Sequence, residues 1–225
     1  MRRATLFLLA ALLFTPAANG AIVNVDQSGG GGSPWLGFMN VFELPANGGG
    51  FIFGSPWGVS DLVANFDDPN NKLTLLPNSI GDPDPFWYIG GGGPGSPGNK
   101  IMEAVLYQEY TDVFNGQTVT FEGVVSSNTF TQAHVATIFV RDFAPDFSSF
   151  NESSIPLVPG PFSVSLNADP GAGRHVQYGF QVRGENVWIT DIDPFGNAMI
   201  RTIPEPGTLA LLGLAGLTIV CRRRR

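Results

Sequence analysis

Three carboxylates in strand-like surroundings, Glu103, Glu109 and Glu122, have the chemistry of a glycosidase pair. In such a pair one acid protonates the leaving oxygen and a second acts as nucleophile or base across a cleft. The reaction needs two carboxyl groups at a fixed separation, and each of the three also reads as a solvent-facing strand position. The two histidines, His134 and His175, fall inside expected strands with no Cys, Asp or Glu at metal-ligand spacing, so each reads as a hydrogen-bonded strand histidine. The chain has no Gly-x-Ser-x-Gly elbow and no His-Glu-x-x-His helix. No catalytic residue is assigned, and the expectation is a protein that is not an enzyme. The alternative is a secreted hydrolase acting on polysaccharide.

Oxygen-rich loops raise a second chemistry. Hard cations such as calcium take clustered carboxylate, amide and carbonyl oxygens. Asp67 and Asp68 (in Asp67-Asp68-Pro69-Asn70-Asn71), Asp82 and Asp84, and Asp191 and Asp193 offer such oxygens. None has the spacing of a defined calcium loop, and the same residues build ordinary turns; no cofactor is expected, with calcium the one candidate. A third chemistry is stacking on pyranose rings, which needs exposed aromatic faces. Trp57, Trp87, Tyr88, Tyr110 and Trp188 are the candidates, against core packing as the plainer role. Trp87 and Tyr88 would face opposite ways on a strand, putting one outward.

The two ends of the chain carry addresses. Arg2 and Arg3 precede an apolar stretch from Leu6 to Phe14, and small residues follow at Ala17-Ala18-Asn19-Gly20. This is the pattern of a signal peptide over residues 1–20, cut after Gly20. At the other end Pro204-Glu205-Pro206 precedes an apolar run and then Arg222, Arg223, Arg224 and Arg225. Arginines that cost several kcal/mol to draw through hydrocarbon stop a translocating chain. The 15 residues from Gly207 to Cys221 give a thin span, about 22 Å of helix against a hydrocarbon core about 30 Å thick.

Residues 203–225 resemble a PEP-CTERM sorting signal: motif, short transmembrane helix and basic tail. The resemblance implies an exosortase as partner, cleavage near the motif, transient residence in the inner membrane, and delivery to the cell surface or extracellular matrix of a Gram-negative bacterium.

What lies between, residues 21–202, is long enough for a single domain with a substantial core. Six of the twelve basic residues belong to the two ends. The exported part therefore sets six basic residues against eighteen or nineteen acids, a net charge of about −12 or −13 that excludes nucleic acid as a partner. Cys221, the one cysteine, lies in the tail, so the domain must be held by packing without disulfides.

Glycine and proline clusters at Gly29 to Gly32, Gly48 to Gly50 and Gly90 to Gly98 separate strand-like runs. Trp35 to Leu44, Leu73 to Leu76 and Phe86 to Ile89 have β composition. Phe162, Val164 and Leu166 alternate with Ser163, Ser165 and Asn167, and Val176, Tyr178, Phe180 and Val182 alternate with Gln177, Gly179 and Gln181. Each is expected to be a strand with one buried face. Gln117 to Val125 is another. His134 to Val140 reads as central and covered on both faces, and Val187 to Thr190 as the last strand. Val59 to Phe66 is the one helix candidate.

These elements predict an all-β, antiparallel sandwich of the jelly-roll kind. Lys100 to Ala104 leading into Tyr107, Gln117 to Phe121, Phe139 to Asp142 and Val176 to Phe180 also resemble galactose-binding-like and carbohydrate-binding-module sandwiches. The functional expectation is an exported, non-enzymatic surface or extracellular-matrix protein with polysaccharide as a candidate partner.

Overall fold

The computed structural model describes residues 20–27, 34–62, 64–131 and 134–203. Within them the chain is all-β, built as two six-stranded sheets packed face to face. Sheet I holds β1 (Gly20–Asn24), β4 (Ala64–Asp67), β5 (Lys72–Leu75), β8 (Thr118–Asn128), β11 (Gly160–Asn167) and β14 (Ala198–Arg201). Sheet II runs β10 (Phe150–Pro156), β9 (His134–Phe143), β12 (His175–Glu185), β7 (Lys100–Thr111), β2 (Leu36–Glu43) and β3 (Phe51–Trp57) in spatial order. β6 (Ser79–Ile80) and β13 (Val187–Trp188) form a small parallel pair beside them.

Every pairing in sheet II is antiparallel. The chain passes between sheets at β7 to β8, β8 to β9, β10 to β11 and β11 to β12, the crossings of a jelly-roll sandwich. Long β8 organises sheet I. Its one edge takes β11, while its other edge is shared end to end by β1, parallel from Thr118 to Glu122, and β14, antiparallel from Val124 to Asn128.

Alternation does the sorting expected of it. In β11 Phe162 and Val164 are buried and Ser163 and Ser165 exposed; in β8 Val119, Phe121 and Val125 point inward. Phe121 is the hub between the sheets, its ring 5.0 Å from Tyr178, 5.5 Å from Phe180 and 5.3 Å from Phe162. Gly123 leaves room for this packing, since a Cβ there would stand 2.7 Å from the Phe162 ring and 2.6 Å from Val25.

Several expected elements differ. Val59–Leu62 is a single 3-10 turn and Ala64–Asp67 is strand, because the segment lacks an N-cap and a sustained helical apolar stripe. Phe86 to Ile89 is a turn with one isolated bridge between Tyr88 and Gly98; Asp84 accepts the Phe86 N–H at 2.7 Å and turns the chain. β12 is covered on both faces, with Gln177 buried as well as Tyr178, since neighbours flank it on each edge and long side chains roof it. β9 is covered on both faces only in part: Phe139 is fully buried, yet Val135 is exposed. Val187–Trp188 is two residues long, and β14 follows it to close sheet I between β5 and β8.

Candidate functional site

Because residues alternate along each strand, even-numbered positions of β7, β9 and β12 fill the core and odd-numbered ones lie on the outer face of sheet II, where long side chains partly roof them. Strand register lines the latter up in rows. Glu152, Arg141, Gln177 and Glu109 form one row across β10, β9, β12 and β7; Ser154, Phe139, Gly179 and Tyr107 form the next. A third carries Arg183, Glu103 and Asn40. Between these rows lies a groove of about 580 Å³, lined by Phe38, Tyr107, Glu109, Arg141, Phe143, Phe147, Phe150 and Gln177 among others.

Gly179 lies in the row that crosses the groove. A Cβ there would fall 2.1 Å from the Leu106 carbonyl oxygen, so nothing rises from this point of the sheet.

The polar groups hold one another in place. Arg141 pairs with Glu152, donates from Nη2 to Gln181 Oε1 at 2.7 Å, and lies 4.0 Å over the buried Phe139 ring. Gln177 donates to Glu109 at 2.6 Å, and Arg183 donates to Glu103 at 2.8 Å, where Asn40 donates to the other oxygen at 3.1 Å. Burial, then the nearby Glu109 charge, raises the Tyr107 hydroxyl above its ordinary pKa. One end of the groove is aromatic: Phe143 lies 4.9 Å from Phe150 and 5.5 Å from Phe147, and Phe147 stacks on His175 at 4.2 Å. Aromatic faces beside planar amide, guanidinium and carboxylate groups are the elements of a sugar-binding surface.

The aromatic residues nominated from sequence lie elsewhere. Trp87 and Tyr88 are both buried, so neither is the outward ring expected. The Tyr88 hydroxyl sits between the carbonyls of Ile80 and Val187 at 2.6 and 2.8 Å, and Asn186 donates to the Trp87 carbonyl at 2.8 Å. Trp188 packs edge-on against Tyr88, and Tyr110 stacks with Tyr178 under a shared bond to Gln108. Trp57, half-buried, packs against Trp87 and borders a shallow pocket with Ile80 and Ile189.

Glu103 and Glu109 do share the groove, while Glu122 projects from the opposite side of the sandwich beside Ser163. The first two lie six positions apart along β7, about 20 Å between their α-carbons. His175 meets Thr111 Oγ1 at 2.9 Å, as a hydrogen-bonded histidine should. His134 does not: among the described residues neither ring nitrogen makes a well-formed hydrogen bond, the Glu185 backbone giving only a weak one, and the ring lies between Phe130 and Phe195.

The acidic loops are tied by their own turns. Asp67 accepts from Asn70 at 2.9 Å and pairs with Lys72, and these bonds hold its carboxyl below the usual range, the Asn70 bond most of all. Asp68 and Asp193 open short 3-10 turns. Asp82 accepts the Asp84 N–H at 3.0 Å, and Asp191 accepts the Gly95 N–H at 2.6 Å. Among the described residues no group of three or more His, Cys, Asp or Glu is placed to hold a metal ion.

Tyr107, Arg141 and Phe147 were not among the binding residues nominated from sequence, although Tyr107 and Arg141 fall in the strands that resemble carbohydrate-binding sandwiches. The odd positions of β12 were legible as outward-facing, which points to this face, but the partners from β9 and β7 depend on register. Residues 1–19 of the expected signal peptide, Pro204 to Pro206 and Arg222 to Arg225 lie outside the described residues, within which no helix is long and apolar enough to cross a membrane; Gly20, the expected last residue of the signal peptide, opens β1.

Comparison of the chain with curated proteins gave no match. Among solved structures it is similar to the N-terminal endo-1,4-beta-D-xylanase 10B of Clostridium thermocellum, CBM22-1 and GH10 modules complexed with xylohexaose. The identity is 12% and the TM-score 0.25, over 48% of this chain and 23% of that one, so this chain spans under a quarter of that structure's length. Residues 202–225 match the PEP-CTERM protein-sorting motif, and the protein is therefore one sorted for export through an exosortase.

Proposed function

We propose that this is a non-enzymatic protein of the cell surface or extracellular matrix, whose sheet II groove binds polysaccharide. The observation that carries the reading is the make-up of that groove, in which aromatic rings at one end and Tyr107 stand beside amide, guanidinium and carboxylate groups fixed by one another. Such prearranged groups lose little freedom on meeting a ligand rich in hydroxyls. Placement of the carboxylates favours binding over hydrolysis. A glycosidase pair stands roughly 5–9.5 Å apart. The α-carbons of Glu103 and Glu109 are separated along their strand by about 20 Å, more than two glutamate side chains can close to that range.

The sorting motif supports delivery to the outside, where such a ligand would be met. Native gels containing dissolved polysaccharides test the proposal, with retardation in at least one of them as the expected result. No retardation in any gel would overturn it, and release of reducing ends would replace it with the hydrolase reading.

A further inference from the structure

Phe147 has a backbone that phenylalanine rarely adopts. Its φ is +57°, in the left-handed region where a bulky side chain is strained. The turn joining β9 to β10 enforces this: Ala144 N–H donates to the Ser149 carbonyl at 2.9 Å, Phe147 N–H to the Ala144 carbonyl at 2.9 Å, and Asp146 accepts the Ser148 N–H at 3.1 Å. Glycine or asparagine would occupy the position at lower cost. What the strained backbone does is carry the ring from the hairpin tip to His175, two strands away from β10.

The Phe147 ring lies on His175, at 4.2 Å and 24° between planes, yet the residue remains 49% exposed. Phe143 borders the same ring at 5.5 Å, tilted by 50°, and the rest of Phe147 meets solvent at the end of the groove, where Phe150 is also 52% exposed. An apolar ring held in place and half exposed matches the apolar face of a pyranose.

Charge narrows the class of ligand. Arg141 is paired with Glu152 and Arg183 with Glu103, while Glu109 is met by Gln177 and lies 3.4 Å from His175. Arg141, the arginine that lines the groove, is already held by Glu152 and Gln181, and the exported part's strong negative charge repels an acidic polymer.

We infer that Phe147 is the stacking wall of the groove and that its ligand is a neutral pyranose polymer. This rests on the polysaccharide-binding reading proposed above. The test uses the exported protein, neutral β-linked glucan, xylan and galactan, and the acidic polymers alginate and polygalacturonate. Binding is measured by titration calorimetry and folding by thermal melts. The Phe147→Gly variant is expected to melt within about 3 °C of the original, since the relieved backbone offsets the lost contact. Its affinity for a neutral polymer is expected to fall at least tenfold, while Phe147→Trp retains or improves it.

Unchanged affinity in Phe147→Gly would remove the wall but leave polysaccharide binding standing. A drop of ten degrees or more, of the order seen on removing a core residue from a domain of this size, would make the ring structural and overturn the assignment. Tighter binding of the acidic polymers would overturn the neutral class. Failure of the unaltered protein to bind any polymer would remove the inference and the reading beneath it together.

Discussion

The carboxylate of Asp142, fully buried on the core side of β9, accepts from Arg174 Nε at 2.9 Å through one oxygen and from the Asp169 N–H at 2.7 Å through the other. Arg174 also donates to the Asp142 carbonyl at 3.2 Å and lies 3.3 Å from the Asp169 carboxylate. The Asp142 bond holds the guanidinium above its already high pKa, so Arg174 stays charged. One buried charge thereby joins a strand of sheet II to the loop that follows β11 of sheet I.

Removing its partner should therefore cost far more than an exposed ion pair would. Arg174→Ala strands a carboxylate in the interior and is expected to lower stability by about 3–5 kcal/mol. Replacing both residues by apolar ones should cost less than that single change. Urea unfolding of the two variants decides the order, and a double variant weaker than the single one would contradict it.

His134 should make the protein acid-sensitive. Burial pushes its pKa down from 6.5 to about 4, and the opposing pull of the Glu185 backbone is weaker. The unfolded chain binds the proton as pH falls below 6.5, whereas the folded one does so only near 4. This contribution to stability is fully present above 6.5 and is lost as pH falls from there towards 4, by about 3 kcal/mol in all. His134→Phe should flatten the slope in that window. Guanidinium unfolding at intervals between pH 7 and 4 measures it, and equal slopes in both proteins would refute the account.

The same residue marks where sequence reading ran out. Alternation placed His134 on a strand, but whether a ring nitrogen meets a partner depends on Phe130 and Phe195, which come from outside that strand. Alternation was sufficient for β8 and β11, whose Phe121, Phe162 and Val164 sit where their spacing put them. It was insufficient for Phe86 to Ile89, where three aromatics suggested a strand while Asp82 and Asp84 made a turn. β14, a strand of four residues shortly after the Gly196 turn, was too short to show a period at all. The groove was half legible: Gln177 and Gln181 were read as outward, but Tyr107 and Arg141 join them only through register. Phe147 gave no signal, since its place follows from a backbone conformation its residue type disfavours.

Tyr88 and Trp87 should behave as structural anchors. Tyr88→Phe deprives the Ile80 and Val187 carbonyls of their shared hydroxyl inside the protein and is expected to cost about 1–3 kcal/mol. Polysaccharide affinity, measured on protein verified as folded, should stay unchanged. A selective loss of affinity without loss of stability would return these residues to the binding site.

Gly179 should tolerate no side chain. The Leu106 oxygen that a Cβ would meet at 2.1 Å is backbone of the neighbouring strand and cannot swing away. Gly179→Ala is thus expected to lower the melting temperature by at least about 10 °C, as an overpacked position in a central strand does. A melt within a few degrees of the original would show that the two strands can separate at this point.

The position of β14 sets a limit on where the chain can be cut. Ala198 and Ile200 are fully buried, and the strand bridges β5 and β8, so it is a middle strand of sheet I and not a removable edge. Gln27 also donates to the Ile200 carbonyl at 2.9 Å, tying the stretch after β1 to it. Pro204, the start of the sorting motif, follows Arg201 by three positions. Cleavage at the motif leaves the sandwich whole, whereas a cut before Ala198 would expose the edges of β5 and β8 and two buried side chains. A chain ending at Ile203 should melt cooperatively, and one ending at Asn197 should lose several kcal/mol or fail to fold. Mass spectrometry of the exported protein should correspondingly find its last residue between Ile203 and Gly207. A terminus upstream of Ala198 in folded, exported protein would show that sheet I closes without its middle strand.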